Sequence, residues 1–188
     1  MALRRVELTV GGAPVGAAQT WSYPSDDGKR YRIPTYAMTI SGTDGKGQRV
    51  TRSVEVIRFG VHRKSPAQAT GVVGLADHQK YVIRAWLPAY SVHSARSVEV
   101  GAWHVFANYL IHDGPDDPVN EVYATAGCIE VCGGPRGFDG FNDLVLELAG
   151  SSKPTRGEKL DEVGRAGVLS ITYLKAARPA LEEWRTPP

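Results

Sequence analysis

Residues 31–41 read Tyr31-Arg32-Ile33-Pro34-Thr35-Tyr36-Ala37-Met38-Thr39-Ile40-Ser41, residues 42–47 read Gly42-Thr43-Asp44-Gly45-Lys46-Gly47, and residues 50–59 read Val50-Thr51-Arg52-Ser53-Val54-Glu55-Val56-Ile57-Arg58-Phe59. Two runs rich in β-branched and aromatic side chains flank a cluster of glycine and aspartate that can take positive φ, which is the pattern of a β-hairpin. Pro34 lacks an amide hydrogen, so the first strand is expected either at a sheet edge or to begin after the proline. Upstream, Val6, Leu8 and Val10 alternate with polar neighbours up to Gly11-Gly12, which predicts another strand with one face in solvent.

Downstream, the stretch 60–80 holds Pro66, Gly71 and Gly74 with little periodicity and reads as a long surface connection. Strands are expected from Tyr81 to Leu87, around Ser97 to Val100, from His104 to His112 as a nearly continuous apolar run, and over 128–132. Gly133-Gly134-Pro135 breaks the last of these. Asp139 is placed as the cap of a helix whose Phe141, Leu144, Val145 and Leu148 recur at spacings of three and four before Gly150 stops it. A short helix over Glu158 to Arg165, a strand from Val168 to Leu174 and a mobile tail near 176–188 complete the chain. The expected fold is mostly β with one or two short helices, α+β overall, in a single domain spanning 1–188.

Composition bounds the function. A chain of 188 residues with 42% hydrophobic and 22% charged side chains is long enough to bury a core, and 21 glycines with 12 prolines fit a fold with many turns. With 22 basic and 20 acidic residues the net charge of +2 supplies no basic stripe for nucleic acid. No run approaches the ~20 apolar residues of a membrane helix. Glu7 and Thr9 interrupt the N-terminal stretch where an export signal needs an apolar core, so synthesis in the cytoplasm without a signal peptide is expected. Cys128 and Cys132 are too far apart on an extended segment to pair and read as free thiols.

The chemistry concentrates in 104–133. His112, at the end of one strand, precedes Cys128, at the start of the next, by sixteen positions, and a nucleophilic cysteine needs such a base. Gly127 lets a substrate carbonyl approach the backbone, where the amides of Gly127 and Cys128 can donate to an oxyanion. Arg136 is a candidate for gripping a substrate carboxylate, against the alternative of a solvated side chain. Cys132 reads as structural, His104 lies far along its strand, and His62, His78 and His93 carry no assigned role, although His93 could approach if its loop folds over the site. A zinc site from Cys128, Cys132 and His112 is a weak alternative. Asp113, Asp116 and Asp117 lack the alternation of a calcium loop. No cofactor is expected.

Ile111-His112-Asp113-Gly114 followed by Thr125-Ala126-Gly127-Cys128-Ile129 resembles the signature of the L,D-transpeptidase catalytic-domain superfamily over about thirty residues. The resemblance implies a β-sandwich or barrel-like fold, Cys128 as nucleophile, His112 as base, and Asp113, Gly114 and Thr125 as supporting residues, with the Asp113 carbonyl or a nearby polar group orienting the imidazole. Ala126 stands where the standard enzymes carry a second histidine, which brings the chain closer to the branch found among secreted antibacterial effectors. Peptidoglycan stem peptides are then the implied substrate, a cognate immunity protein the implied partner, and a dedicated secretion machine the implied route into a competitor's periplasm. The alternative is a β-rich structural or adaptor module of a secretion apparatus or phage-like particle in which these residues only pack.

Overall fold

The computed structural model describes residues 2–92, 100–133 and 136–185. In chain order these form β1 (Val6–Thr20), β2 (Tyr23–Pro24), β3 (Tyr31–Thr43), β4 (Arg49–Ile57), β5 (Phe59–Arg63), β6 (Gly71–Gly74), β7 (Gln79–Val82) and β8 (Ala85–Ser91). There follow β9 (Val100–Phe106), β10 (Tyr109–Asp113), β11 (Val122–Tyr123), β12 (Ile129–Val131), α1 (Gly137–Ala149), α2 (Arg156–Ala166), β13 (Leu169–Tyr173) and β14 (Glu182–Glu183). The fold is mostly β with two helices, as the alternating patterns predict.

The main sheet runs β7-β13-β1-β3-β4-β12-β10-β9-β8, with β11 added to β1 and β14 to β3, while β2, β5 and β6 form a small second sheet. Its ends curl towards each other: the Tyr81 ring on β7 stacks on Phe106 of β9 with centroids 5.0 Å apart. The β3–β4 hairpin forms as expected, and its turn is closed by the Asp44 carboxylate, which accepts the amides of Lys46 at 2.8 Å and Gln48 at 2.9 Å. β3 begins before Pro34 and lies inside the sheet, contrary to either expectation. Pro34 is tolerated because pairing with β4 starts only at Thr35, leaving one side of the strand unladdered at the proline.

β1 does not stop at Gly11-Gly12. It continues to Thr20 through two register shifts between Val10 and Gly16, and these bulges exchange its faces. Val6, Leu8 and Val10 join the core under the helices, whereas Ala18 joins a cluster on the other face. Arg58 pins this region: its guanidinium donates to the carbonyls of Gly11 at 2.8 Å, Leu174 at 2.9 Å and Leu75, among the rings of Tyr36, Phe59 and Tyr173.

The segment 60–80 is not a long loop, since β5 and β6 pair within it as an antiparallel hairpin. The expected strand 81–87 divides into β7 and β8, and the run 104–112 divides at Ala107, whose φ of 47° makes the turn between β9 and β10. Of the strand expected at 97–100, only Val100 lies among the described residues.

Helix α1 packs on β1, β3, β10 and β12 and α2 on β8, so both cover one face of the main sheet. Phe138, Phe141, Val145 and Leu148 drive α1 into that face, and Gly150 ends it in the left-handed conformation. Its N-cap is Arg136, not Asp139; Asp139 sits in the first turn, where its charge suits the helix dipole. Helix α2 starts two residues before the expected boundary because Thr155 and Glu158 form a capping box. The stretch from 176, expected to be mobile, makes contacts: Arg178 donates to the Val72 and Gly74 carbonyls and β14 pairs with β3. Among the described residues no helix is long and apolar enough to cross a membrane.

Candidate functional site

The helix-covered face takes Ile111, Ile129 and Val131 of the parallel strands β10 and β12. Alternation therefore sends Leu110, His112, Cys128 and Glu130 to the opposite face. The register sets Ile111 against Ile129 and His112 against Glu130, and continuing it one step back sets Leu110 against Cys128. The Leu110 amide indeed donates to Cys128 Sγ at 3.4 Å. His112 and Cys128, chosen from sequence alone, are thus diagonal neighbours on one face of adjacent strands, a separation of roughly 7–8 Å between backbones that side chains can bridge.

His112 is 1% exposed, and its Nδ1 lies 2.7 Å from the carbonyl oxygen of Asp113. A carbonyl only accepts, so Nδ1 carries the proton of the neutral ring and Nε2 is the basic nitrogen. The ring stacks at a tilt of 36° on Tyr90, with centroids 5.3 Å apart. Tyr90 also packs on the cluster of Ala102, Leu110 and Cys128, so one aromatic ring covers both members of the pair. Burial pushes the Tyr90 hydroxyl far up, with Cys128 and Glu130 adding to the shift.

Cys128 is 7% exposed, and its Sγ contacts the Asn108 carbonyl at 3.6 Å. Burial pushes its thiol up, outweighing the Leu110 amide and the Thr125 side chain, which favour the thiolate. The direction is opposite to the lowered thiol that a cysteine paired with a base would show. Asn108 also lines a cavity of about 280 Å³, together with His62, Val73, Ala107, Tyr109 and Ala126. His62 reaches this cavity from β5, a placement that no local pattern encodes.

The supporting residues play other parts than expected. Thr125, buried, uses Oγ1 to accept the Cys128 amide at 2.8 Å, which commits one of the two candidate oxyanion donors. Gly127 holds φ at 98°, and a Cβ there would come 2.8 Å from Gly74 Cα, so its missing side chain admits the β6 backbone and not a substrate. Gly114 lets its chain lie against β12, since a Cβ would stand 2.7 Å from that of Glu130. Arg136 is not brought to the site: its exposed guanidinium pairs with Asp143 on α1, and Asp143 in turn pairs with Arg156. The physical reason is that residue 136 starts the helix, where the carboxylates of that helix are nearer than the strand ends.

Cys132 packs with Ala18, Tyr31, Ile33, Ile57 and Val61 as a core residue. His104 closes its own hairpin turn on the Ala107 carbonyl at 2.8 Å, and His93 lies outside the described residues. Asp117 organises a turn by accepting the amides of Val119 and Asn120. Among the described residues no group of three His, Cys, Asp or Glu side chains is arranged to hold a metal ion.

The sequence reading missed Glu130. This carboxyl is 1% exposed, and its Oε1 has no hydrogen-bond partner among the described residues. Burial pushes it up to about 8, and Asp113 adds to the shift. A glutamate inside the apolar string Cys128-Ile129-Glu130-Val131-Cys132 was the available signal, because a strand buried on both faces has no solvent side for a charge. Comparison of the chain with models of protein families, with curated proteins and with solved structures finds no match.

Proposed function

We propose that this chain is a cysteine acyl-transfer enzyme acting on peptidoglycan stem peptides, with Cys128 as nucleophile and His112 as its base. The observation that supports the reading is the bond from His112 Nδ1 to the Asp113 carbonyl, on a histidine diagonal to Cys128 across β10 and β12. A base needs such a fixed tautomer, which leaves the other ring nitrogen to take the proton.

In the proposed reaction His112 Nε2 takes the Sγ proton as sulfur attacks the carbonyl carbon of a stem-peptide bond. The C–N bond then breaks, the leaving amine receives that proton from the imidazolium, and a thioester remains on Cys128. Water or a second amine attacks the thioester with His112 again as base, releasing the acid or the exchanged peptide and restoring the thiol. Because burial holds the resting thiol up, the proton moves during attack and not beforehand. The cavity beside Asn108 and Ala126 is the side from which the peptide would enter. The motif's resemblance to secreted effectors extends the proposal to an antibacterial protein delivered to a competitor's periplasm and neutralised by an immunity protein.

A non-catalytic packing role for the same residues draws on the burial of Cys128. Intact-protein mass spectrometry after mixing with stem peptides separates the two readings. An acyl adduct on the wild type that is absent from Cys128→Ala supports the enzyme, while no adduct, with folded protein and no product, supports the packing role.

A further inference from the structure

We propose that Glu130 is a positioning residue for the Cys128/His112 pair, a carboxylic acid kept neutral beneath it whose ionisation switches the pair off. The inference rests on the reading of that pair given above. Glu130 lies directly across the ladder from His112 and one alternation from Cys128 on the same strand face, and its unpartnered Oε1 is sealed from water. An acid in such a place destabilises the fold more when charged than when neutral, and the mechanism described so far makes no use of it.

The groups around it set the sign. From β10 come His112 and, next to it, Asp113; from its own strand Cys128 and Cys132; from β8 Tyr90, with Tyr23 of β2 close to that hydroxyl. On the β4 side its partner is Ile57, with Glu55 further along beside Cys132. Arg58 follows Ile57 in the chain but turns into the Tyr36, Phe59 and Tyr173 rings. The imidazole is therefore the one basic group in this set, and the rest are acids, thiols and phenols. While Glu130 is neutral, Cys128 can develop negative charge and His112 can remain an unprotonated base. Once Glu130 ionises, its charge opposes a thiolate two residues away, and this removes the reactive state. Burial places this transition near pH 8.

The test follows alkylation of Cys128 by iodoacetamide, mapped by peptide mass spectrometry, from pH 6 to 9.5 in wild type and Glu130→Gln. The ratio of variant to wild-type rate is expected to stay level below pH 7 and to rise roughly tenfold by pH 9.5. A ratio that does not change with pH, or that falls, overturns the proposal. The carboxyl carbons of the wild type labelled with ¹³C-glutamate give a check that needs no variant: one resonance titrating near pH 8 is expected, and titration of every glutamate in the ordinary carboxylate range overturns it. Neither measurement needs a substrate, so both can fail while stem-peptide chemistry stands, and both can succeed if that chemistry is absent.

Discussion

His112 faces Glu130 across the parallel ladder of β10 and β12, so an imidazole stands opposite an acid that water does not reach. That relationship links the stability of the fold to the state of the site, because the same proton on Glu130 affects both.

The first prediction concerns stability and pH. Glu130 titrates near 8 in the folded chain, against about 4.3 for a glutamate in an unfolded one. Between these values the folded state binds more protons, so unfolding free energy falls as pH rises across that window and levels off above it. In Glu130→Gln this component is absent. Urea unfolding at pH 5 and pH 8.5 is expected to show the wild type losing on the order of a few kcal/mol more than the variant; equal losses would contradict the buried acid.

Thr125 is expected to matter through its hydroxyl. Thr125→Val removes the acceptor of the buried Cys128 amide and should destabilise by about 1–3 kcal/mol, whereas Thr125→Ser should retain most of the wild-type stability. Thermal unfolding of the pair decides it, and matching losses in both variants would mean that the methyl group, not the bond, supports the turn.

How much of this was legible in the sequence depended on periodicity. The β3–β4 hairpin could be read because alternation persists over nine residues or more and the turn has its own chemistry in Asp44. Helix α1 could be read from its apolar spacing and Gly150, but its start could not, since no side chain caps it. The β5–β6 hairpin was hidden because strands of five and four residues are too short to show a period. The turn at Ala107 was hidden because an apolar run continues through it, and the passage of β1 across Gly11-Gly12 depends on Arg58, far along the chain. At the candidate site, spacing singled out His112 and Cys128, and the ladder sets them diagonally on one face. Glu130 and Tyr90 needed the ladder and the packing of β8, which no local pattern encodes.

Gly127 gives a sharper test of why a glycine precedes the cysteine. Gly127→Ala forces a side chain into a φ of 98° and against Gly74, and is expected to destabilise by about 2–4 kcal/mol. A stable variant impaired only in reaction with substrate would instead support the role of admitting a carbonyl.

Arg136 is expected to be dispensable. Its ion pair with Asp143 is exposed, so Arg136→Ala should change stability by less than about 1 kcal/mol, and stem-peptide processing should match the wild type. A raised KM for peptides ending in a free carboxylate would return it to the site.

The central claim is tested most directly by mass spectrometry of purified muropeptides incubated with wild type and with Cys128→Ala. Shortened or exchanged stem peptides are predicted with the wild type alone. Unchanged muropeptides with a folded wild type, or the same products from Cys128→Ala, would contradict cysteine acyl transfer.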